Sequence, residues 1–259
     1  MAGLLQKLRH PQRSYVICAV PRSGSNLLGD GLADTHSAGR PKQYFLPEFQ
    51  QRYGERYHLD PANDYTGYVR GVISATQTHN NIFGFKLMSF YFDAFLRRLR
   101  GTAEFGRDPA TDVQVLSGAF PRVRFIHLIR SDKLRQAISR ARAMQTGIWK
   151  VADSAQPIGE PHYDAQLIAR CLRDGEREEA IWTQFFENAA VEPLTVEYER
   201  LCESYSNTLR RVLEFVGADA ALGELVAPPR TIRQGDEISD DWYARFRAEA
   251  AEPVSAAMA

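Results

Sequence analysis

The residues best suited to bind an anion form a short run of small and polar side chains, PRSGSN, at positions 21–26. The run follows an apolar stretch over residues 15–20 and precedes a helical pattern. Serine and glycine allow a tight turn, and the free N–H groups and dipole at a helix start favour an anion. Because Arg22, Ser23 and Ser25 add donors, the run predicts a phosphate or sulfate site, with an ordinary capped turn as the alternative.

Two familiar phosphate-handling loops do not match this run. A Walker A loop needs Gly-Lys followed by Ser or Thr, and no Gly-Lys pair occurs in the chain. Cys18 precedes Arg22 by four residues and belongs to the apolar stretch, which is too early for the nucleophile of a tyrosine phosphatase. The run therefore belongs to neither class.

A second candidate anion site comes later in the chain. Arg130 directly follows the apolar stretch Val123–Ile129, and Ser139 lies within the next helical pattern. An arginine at a strand end and a serine on the next helix can hold one phosphate together, although either residue alone also suits a surface position. A third polar run, RQGD at 233–236, is either a further binding loop or a plain connection into the last helix.

These segments must be positioned by the elements around them. Apolar runs predict four strands, over residues 15–20, 82–87, 123–129 and 194–196. Helices are predicted over residues 26–36, 63–78, 90–99, 132–145, 163–188 and 198–215, and from Asp240 onward. The Pro- and aromatic-rich residues 39–49 are predicted to form an ordered loop.

Strands that alternate with helices predict an α/β fold of three layers, with a mainly parallel central sheet flanked by helices. Such sheets bind ligands at the carboxyl ends of their strands. The segments after residues 20, 87 and 129 are therefore expected to meet at one edge. We expect a single domain over residues 1–259, in which residues 1–14 form a frayed lead-in.

The charge balance restricts the possible partners. The chain has 32 Lys and Arg residues against 32 Asp and Glu residues, so its formal net charge is zero. An anion site must then come from a few local groups, and a broad nucleic-acid-binding face is not expected. With 44% hydrophobic residues the chain can bury a full core, and no apolar stretch has the length of a membrane span.

The cysteines Cys18, Cys171 and Cys202 are odd in number and widely spaced, which fits neither a disulfide framework nor a zinc site. We expect reduced, partly buried thiols, no metal site and a reducing compartment. The basic start of the chain lacks the apolar run of a signal peptide, so a cytoplasmic location is expected.

The ordered set of segments resembles one known family. YVICAVPRSGSNLL is similar to the 5′-phosphosulfate loop of sulfotransferases, and IHLIRSDKLRQAISRARAMQTGIW to their 3′-phosphate segment as it occurs in the Stf0-type (trehalose 2-sulfotransferase-like) family. AGRPKQYF, GFKLM, VEPLTVEY and RQGDEISDDWYARF resemble further segments of that family in the same order. The resemblance covers about residues 15–246 and implies a P-loop-like sulfotransferase architecture.

The resemblance also implies a co-substrate, 3′-phosphoadenosine-5′-phosphosulfate (PAPS), with no metal. Arg22, Ser23, Gly24 and Ser25 would hold the 5′-phosphosulfate, and Arg22 would be the cation beside the transferring group. Asn26 stands where a hydroxyl residue is common, and its amide can still donate a hydrogen bond.

The 3′-phosphate would be held by Arg130 and Ser139. Arg233 would close over it within a C-terminal loop and helix, residues 231–259. A carbohydrate or glycolipid-precursor hydroxyl would be the acceptor, and the resemblance makes a homodimer plausible. Lys86, near a strand end, would either support the acceptor site or extend into solvent.

The expected catalytic base is replaced in this chain. A glutamate is expected where Gln43 stands, and a carboxamide cannot accept a proton at neutral pH. Three explanations stay open: a Glu→Gln variant, natural or deliberate; another base such as Glu48 or His36; or donor binding without efficient turnover. Trp149 could stack on a sugar or pack in the core.

Two functions therefore compete with a PAPS-dependent sulfotransferase. A non-catalytic PAPS- or PAP-binding protein is suggested by Gln43, where PAP is the desulfated product. A P-loop-like nucleotide kinase is disfavoured by the absent Gly-Lys pair and by the pairing of Arg130 with Ser139.

Overall fold

A computed structural model describes residues 11–106, 111–149, 156–227 and 237–251. Its centre is a sheet of four described strands, β1 (Arg13–Ala19), β2 (Ile82–Met88), β3 (Val123–Ile129) and β4 (Leu194–Glu197). The strands lie in the order β2-β1-β3-β4, and every neighbouring pair is parallel. The predicted α/β fold is confirmed, and the described sheet is wholly parallel rather than mainly so.

Helices surround the sheet. In chain order the described helices are α1 (Ser25–Asp34), α2 (Pro47–Tyr57), α3 (Tyr65–Thr76), α4 (Phe92–Arg100), α5 (Asp112–Ala119), α6 (Lys133–Thr146), α7 (Ala165–Ala189), α8 (Tyr198–Glu203), α9 (Tyr205–Val216), α10 (Leu222–Leu225) and α11 (Glu237–Ala251). A single 3₁₀ turn, Ser89–Tyr91, joins β2 to α4. None of these helices is both long enough and apolar enough to cross a membrane.

One face of the sheet is covered by α4 and α7. Val16 is in register with Phe85 on β2 and Phe125 on β3, so the three side chains point to the same face. The Phe85 ring lies 6.2 Å from that of Phe95 on α4, and the Phe125 ring lies 5.3 Å from that of Phe185 on α7. Such aromatic pairs bury large apolar areas and account for much of the core on this side.

The opposite face is covered by α1 and α9. Ile17 is in register with Lys86, and the Lys86 stem packs against Gly29 of α1. Gly31, on the next part of α1, packs against Tyr205 of α9. The structure therefore has three layers, and the two α1 glycines allow a close approach on both sides of that helix.

Three described helices, α2, α5 and the single turn α10, were missed by the sequence analysis, and one predicted helix is divided in the structure. Residues 47–49, predicted as loop, begin α2, because Pro47 occupies a first-turn position where a missing N–H costs nothing. Helix α5 starts with a capping box in which Thr111 and Gln114 satisfy each other's backbone N–H groups. The helix predicted over 198–215 is broken at Ser204, whose backbone leaves the helical region (φ −134°, ψ 59°).

The close packing of the sheet gives a stability prediction. A Cβ on Gly84 would overlap the ring of Tyr15, whereas a Cβ on Gly175, inside α7, would meet nothing within 4 Å. We expect Gly84→Ala to lower the free energy of unfolding by about 1–3 kcal/mol through overpacking. Gly175→Ala should raise it by about 0.5–1 kcal/mol through helix propensity.

Urea denaturation of the two variants and the parent checks this pair. If the two substitutions changed the free energy of unfolding by similar amounts, the described packing of the Tyr15 ring against Gly84 of β2 would be contradicted.

Candidate active site

The backbone of residues 20–24 curls between β1 and α1. Arg22 (φ 67°) and Gly24 (φ 90°) both lie in the left-handed region, and the Ser23 N–H donates to the Val20 carbonyl over 3.3 Å. A left-handed arginine costs of order 1 kcal/mol, and such strain is typical of binding loops. The curl directs the loop into the start of α1 at Ser25, where the first-turn N–H groups have no partner within the helix.

Ser23 carries a buried hydroxyl with no hydrogen-bond partner in the described structure. The residue is fully buried, and the oxygen is one of a few buried side-chain polar atoms left without a partner. A buried polar group without a partner costs free energy, so such atoms mark places where a ligand or water completes the structure. The hydroxyl lies in the loop predicted to bind an anion.

The Arg22 side chain joins this loop to the second predicted anion site. Its Nε donates to the Ser139 Oγ over 2.9 Å, and its Nη1 donates to the Trp149 carbonyl. Burial and, to a smaller degree, the Arg130 charge lower the pKa of Arg22 to about 10. The guanidinium therefore stays charged at neutral pH, but it is desolvated beside a like charge, which favours a bound anion.

Arg130 approaches the same place from β3. Its Nη1 donates to the Arg22 carbonyl over 3.2 Å, while its Nε is buried without a hydrogen bond, and the nearest Glu199 oxygen lies 3.9 Å away. Burial lowers the pKa of Arg130 as well, and the nearby Tyr198, Glu199 and Asp132 side chains oppose that shift. Arg22, Arg130 and Ser139 thus form one cluster at the carboxyl edge of the sheet, where the sequence analysis placed them.

Tyr198 is a residue of this cluster that the sequence analysis missed. Its ring lies against Gly24 so closely that a Cβ there would overlap it, and the Arg130 Cζ stands 4.5 Å over the ring centroid. The tyrosine therefore positions both the loop and the arginine. It follows β4 directly, so the rule that ligand sites gather at carboxyl strand ends was the signal that could have found it.

The turn between β3 and α6 is held by carboxylates. Glu199 accepts hydrogen bonds from the backbone N–H groups of Ser131 (3.0 Å) and Asp132 (3.2 Å), and Asp132 caps α6 by accepting from the Arg135 N–H over 2.9 Å. On the loop side, the Gln136 amide donates to the Pro21 carbonyl over 2.9 Å. These contacts fix the positions of the two anion-binding segments relative to each other.

Asn26, Lys86 and the backbone directly before Gln43 come together on the α1 side of the sheet. Lys86 is only 2% exposed, and its ammonium donates to the Asn26 amide oxygen. Its backbone N–H donates over 2.9 Å to the carbonyl of Lys42, the residue before Gln43. Lys86 therefore does not extend into solvent, and the segment with Gln43 is attached to the edge strand β2 next to the loop.

His36 and Glu48, the two candidate replacements for the catalytic base, lie at different distances from the site. His36 is exposed and lies beyond the last residue of α1, about 15 Å along the helix axis from the loop. Glu48 is exposed in the first turn of α2, and its charge makes a small contribution to the raised pKa of Tyr91, whose hydroxyl donates to the Lys86 carbonyl. Glu48 is thus near the Lys86 side of the site, whereas His36 is remote from it.

The remaining predicted residues have mixed outcomes. Trp149 is 45% exposed, so the alternative of core packing was wrong for it. Arg233 and the rest of the 233–236 run lie outside the described residues.

Cys18 and Cys171 are buried thiols and Cys202 is half-buried, and none of the three forms a disulfide. The described ranges contain no group of three or more His, Cys, Asp or Glu residues that could hold a metal ion.

Comparison with known proteins gives one family and several relatives. The family model described as Stf0 sulphotransferase matches residues 14–249. The trehalose 2-sulfotransferase of Mycolicibacterium smegmatis (strain ATCC 700084 / mc(2)155) is 27% identical over 266 residues, which cover 93% of this chain and 96% of that protein. The trehalose 2-sulfotransferase of Mycobacterium tuberculosis (strain ATCC 35801 / TMC 107 / Erdman) is 28% identical over 260 residues, covering 92% and 96%.

Solved structures also match along most of the chain. The sulfotransferase domain from the Synechococcus PCC 7002 olefin synthase has a TM-score of 0.48 and 16% identity, covering 93% of this chain and 89% of that one. A sulfotransferase from Alicyclobacillus acidocaldarius has a TM-score of 0.48 and 13% identity, covering 93% and 92%.

The unpartnered Ser23 hydroxyl gives a prediction that separates binding from stability. We expect Ser23→Ala to leave the melting temperature of the free protein unchanged or to raise it, because a buried group without a partner is removed. The same change should reduce the stabilisation produced by an anionic ligand. Thermal melts with and without 3′-phosphoadenosine 5′-phosphate (PAP) measure both effects.

Ser37→Ala is the matched control. The Ser37 hydroxyl is also buried, but it accepts a hydrogen bond from Asn80 over 3.0 Å, so its loss should lower the melting temperature and leave the PAP shift intact. A destabilised Ser23→Ala protein with a full PAP shift would remove Ser23 from the site.

Proposed function

Since the chain belongs to the Stf0 sulphotransferase family and is a sulfotransferase, we propose that PAPS is its donor and a carbohydrate hydroxyl its acceptor. PAP would be the released product. The observation that carries the proposal is the convergence of the 21–26 loop with Arg130 and Ser139 at one edge of the sheet. One ligand with two anionic groups fits this pair of sites better than a single phosphate does.

The donor groups available match the two ends of PAPS. The first-turn N–H groups of α1 and the Ser23 hydroxyl would hold the 5′-phosphosulfate, whereas the unbonded Nε of Arg130 and the Ser139 hydroxyl would hold the 3′-phosphate. Binding would therefore supply partners for two buried atoms that have no hydrogen bond in the described structure.

Arg22 stands between the two sites and supplies charge to the reaction. The acceptor oxygen attacks sulfur in line while the bond from sulfur to the 5′-phosphate oxygen breaks, so negative charge grows on that oxygen. The Arg22 guanidinium and the α1 N–H groups favour this charge distribution, as in phosphoryl transfer. Because the 3′-phosphate would compete with Arg22 for Ser139, donor binding would let the Arg22 guanidinium turn toward the bridging oxygen.

Closure of the C-terminal segment over the donor is supported by the position of α11. Asp240 forms an ion pair with Arg135 over 2.6 Å, and Ser239 accepts a hydrogen bond from Arg142. Both arginines lie on α6, the helix that carries Ser139. Helix α11 is thereby attached to α6 next to the proposed 3′-phosphate site. The role of Arg233 in closure stays a prediction, as does the homodimer.

A sugar acceptor is supported by the two curated relatives, which are named trehalose 2-sulfotransferases. The second candidate function, PAPS or PAP binding without turnover, is favoured by Gln43 alone, since a carboxamide cannot take the hydroxyl proton. Turnover by the wild-type protein separates the two.

The 3′-phosphate site predicts a difference between two ligands. Arg130→Ala should weaken PAP binding about 10- to 100-fold, because a charge-assisted contact of roughly 1.5–3 kcal/mol is lost. Binding of adenosine 5′-phosphosulfate, which has no 3′-phosphate, should change much less. Calorimetric titration of both ligands measures the two affinities.

Arg200→Ala serves as the control, because Arg200 lies on α8 near the same turn with its side chain 75% exposed. It should leave both affinities unchanged. Equal losses of PAP and adenosine 5′-phosphosulfate in Arg130→Ala would remove Arg130 from the 3′-phosphate site and with it the argument for PAPS.

A further inference from the structure

The proposed sulfuryl transfer requires a group that takes the proton of the acceptor hydroxyl, and Gln43 cannot do this. The base must be a carboxylate or imidazole near both the loop and the Gln43 segment. His36 lies at the wrong end of α1. Glu48 is near Lys86, but it is exposed on α2, whereas the loop leads into α1.

The third candidate, Asp30, is a carboxylate on α1, the helix that follows the loop directly. It is one helical turn beyond Asn26 on the same face of α1, and helical side chains lean toward the N-terminus of their helix. The Asp30 carboxylate is thereby directed toward the Asn26 turn, where the Lys86 ammonium contacts the Asn26 amide oxygen. Its side chain is 38% exposed, so a substrate can reach it.

The contacts of Asp30 connect it to the segment in which the family base is expected. Its Oδ1 forms an ion pair with the ammonium of Lys42, the residue directly before Gln43. Gly29, next to Asp30, packs against the Pro41 carbonyl and the Lys86 stem. The Asp30 carboxylate on α1 is therefore held against the segment that carries Gln43.

We infer that Asp30 is the general base, that is, the group that accepts the proton of the acceptor hydroxyl in this chain. This inference rests on the proposed sulfotransferase function. As the acceptor oxygen bonds to sulfur, its proton passes to an Asp30 oxygen, and the electron pair of the breaking sulfur–oxygen bond stays on the 5′-phosphate of PAP. The ion pair with Lys42 holds the carboxylate in place before the transfer.

Asp30→Asn keeps the shape of the side chain and removes the base. We expect it to lower kcat about 100-fold or more, measured as PAP released from PAPS with trehalose or with water as the acceptor. The PAP-induced rise in melting temperature should stay at its wild-type value, because Asp30 is not a donor ligand. Adding Gln43→Glu to this variant should restore turnover, since a carboxylate returns to the neighbouring position.

Asp34→Asn is the matched control, because Asp34 is an exposed carboxylate one turn further along the same helix. It should retain wild-type kcat. Wild-type kcat in Asp30→Asn, or a loss of kcat in Glu48→Gln instead, would overturn the assignment, and so would a loss of the PAP shift in Asp30→Asn.

The wild-type protein separates this inference from the function on which it rests. If it binds PAP but releases none from PAPS, the inference fails while donor binding stands. If it does not bind PAP at all, the proposed donor itself is wrong.

Discussion

Two guanidinium groups, those of Arg22 and Arg130, are held together in a half-buried position at the carboxyl edge of the sheet, and the site depends on this contact. Burial lowers the pKa of both groups, and the Arg130 charge lowers that of Arg22 further. The fold nevertheless fixes them, through Tyr198 beneath Arg130 and through the hydrogen bond from Arg130 to the Arg22 carbonyl. A doubly anionic ligand is the simplest partner for such an arrangement.

Three further features of the site are unfavourable in the free protein. Arg22 is held at a positive φ, the Ser23 hydroxyl is buried without a partner, and the Nε of Arg130 has no hydrogen bond. Each feature destabilises the free protein, and under the proposed function a bound anion would supply partners for the Ser23 hydroxyl and the Arg130 Nε. The rest of the molecule supplies the stability that makes this possible, because α4 and α7 on one face and α1 and α9 on the other bury the strands β1 and β2 almost entirely.

Sequence reasoning was strongest where a local pattern decides the structure. Continuous apolar runs located the four strands, and the strand ends located Arg22 and Arg130. It was weaker where the deciding partner is distant in sequence. Gly24 and Tyr198 fit against each other from opposite ends of the chain, and the burial of Lys86 depends on Asn26, so neither contact leaves a local signal. Helix α2 begins at a first-turn proline and α5 at a capping box, and neither start lies in a long amphipathic repeat.

The central claim is that this edge of the sheet recognises an adenosine nucleotide by its separate 3′- and 5′-anions. The most direct measurement is the melting temperature of the wild-type protein with saturating PAP and, separately, with ATP, because a ligand that binds only the folded state must raise it. The arrangement of Arg22, Arg130 and Ser139 predicts a clear rise with PAP and little or none with ATP. A rise with ATP but none with PAP would contradict it.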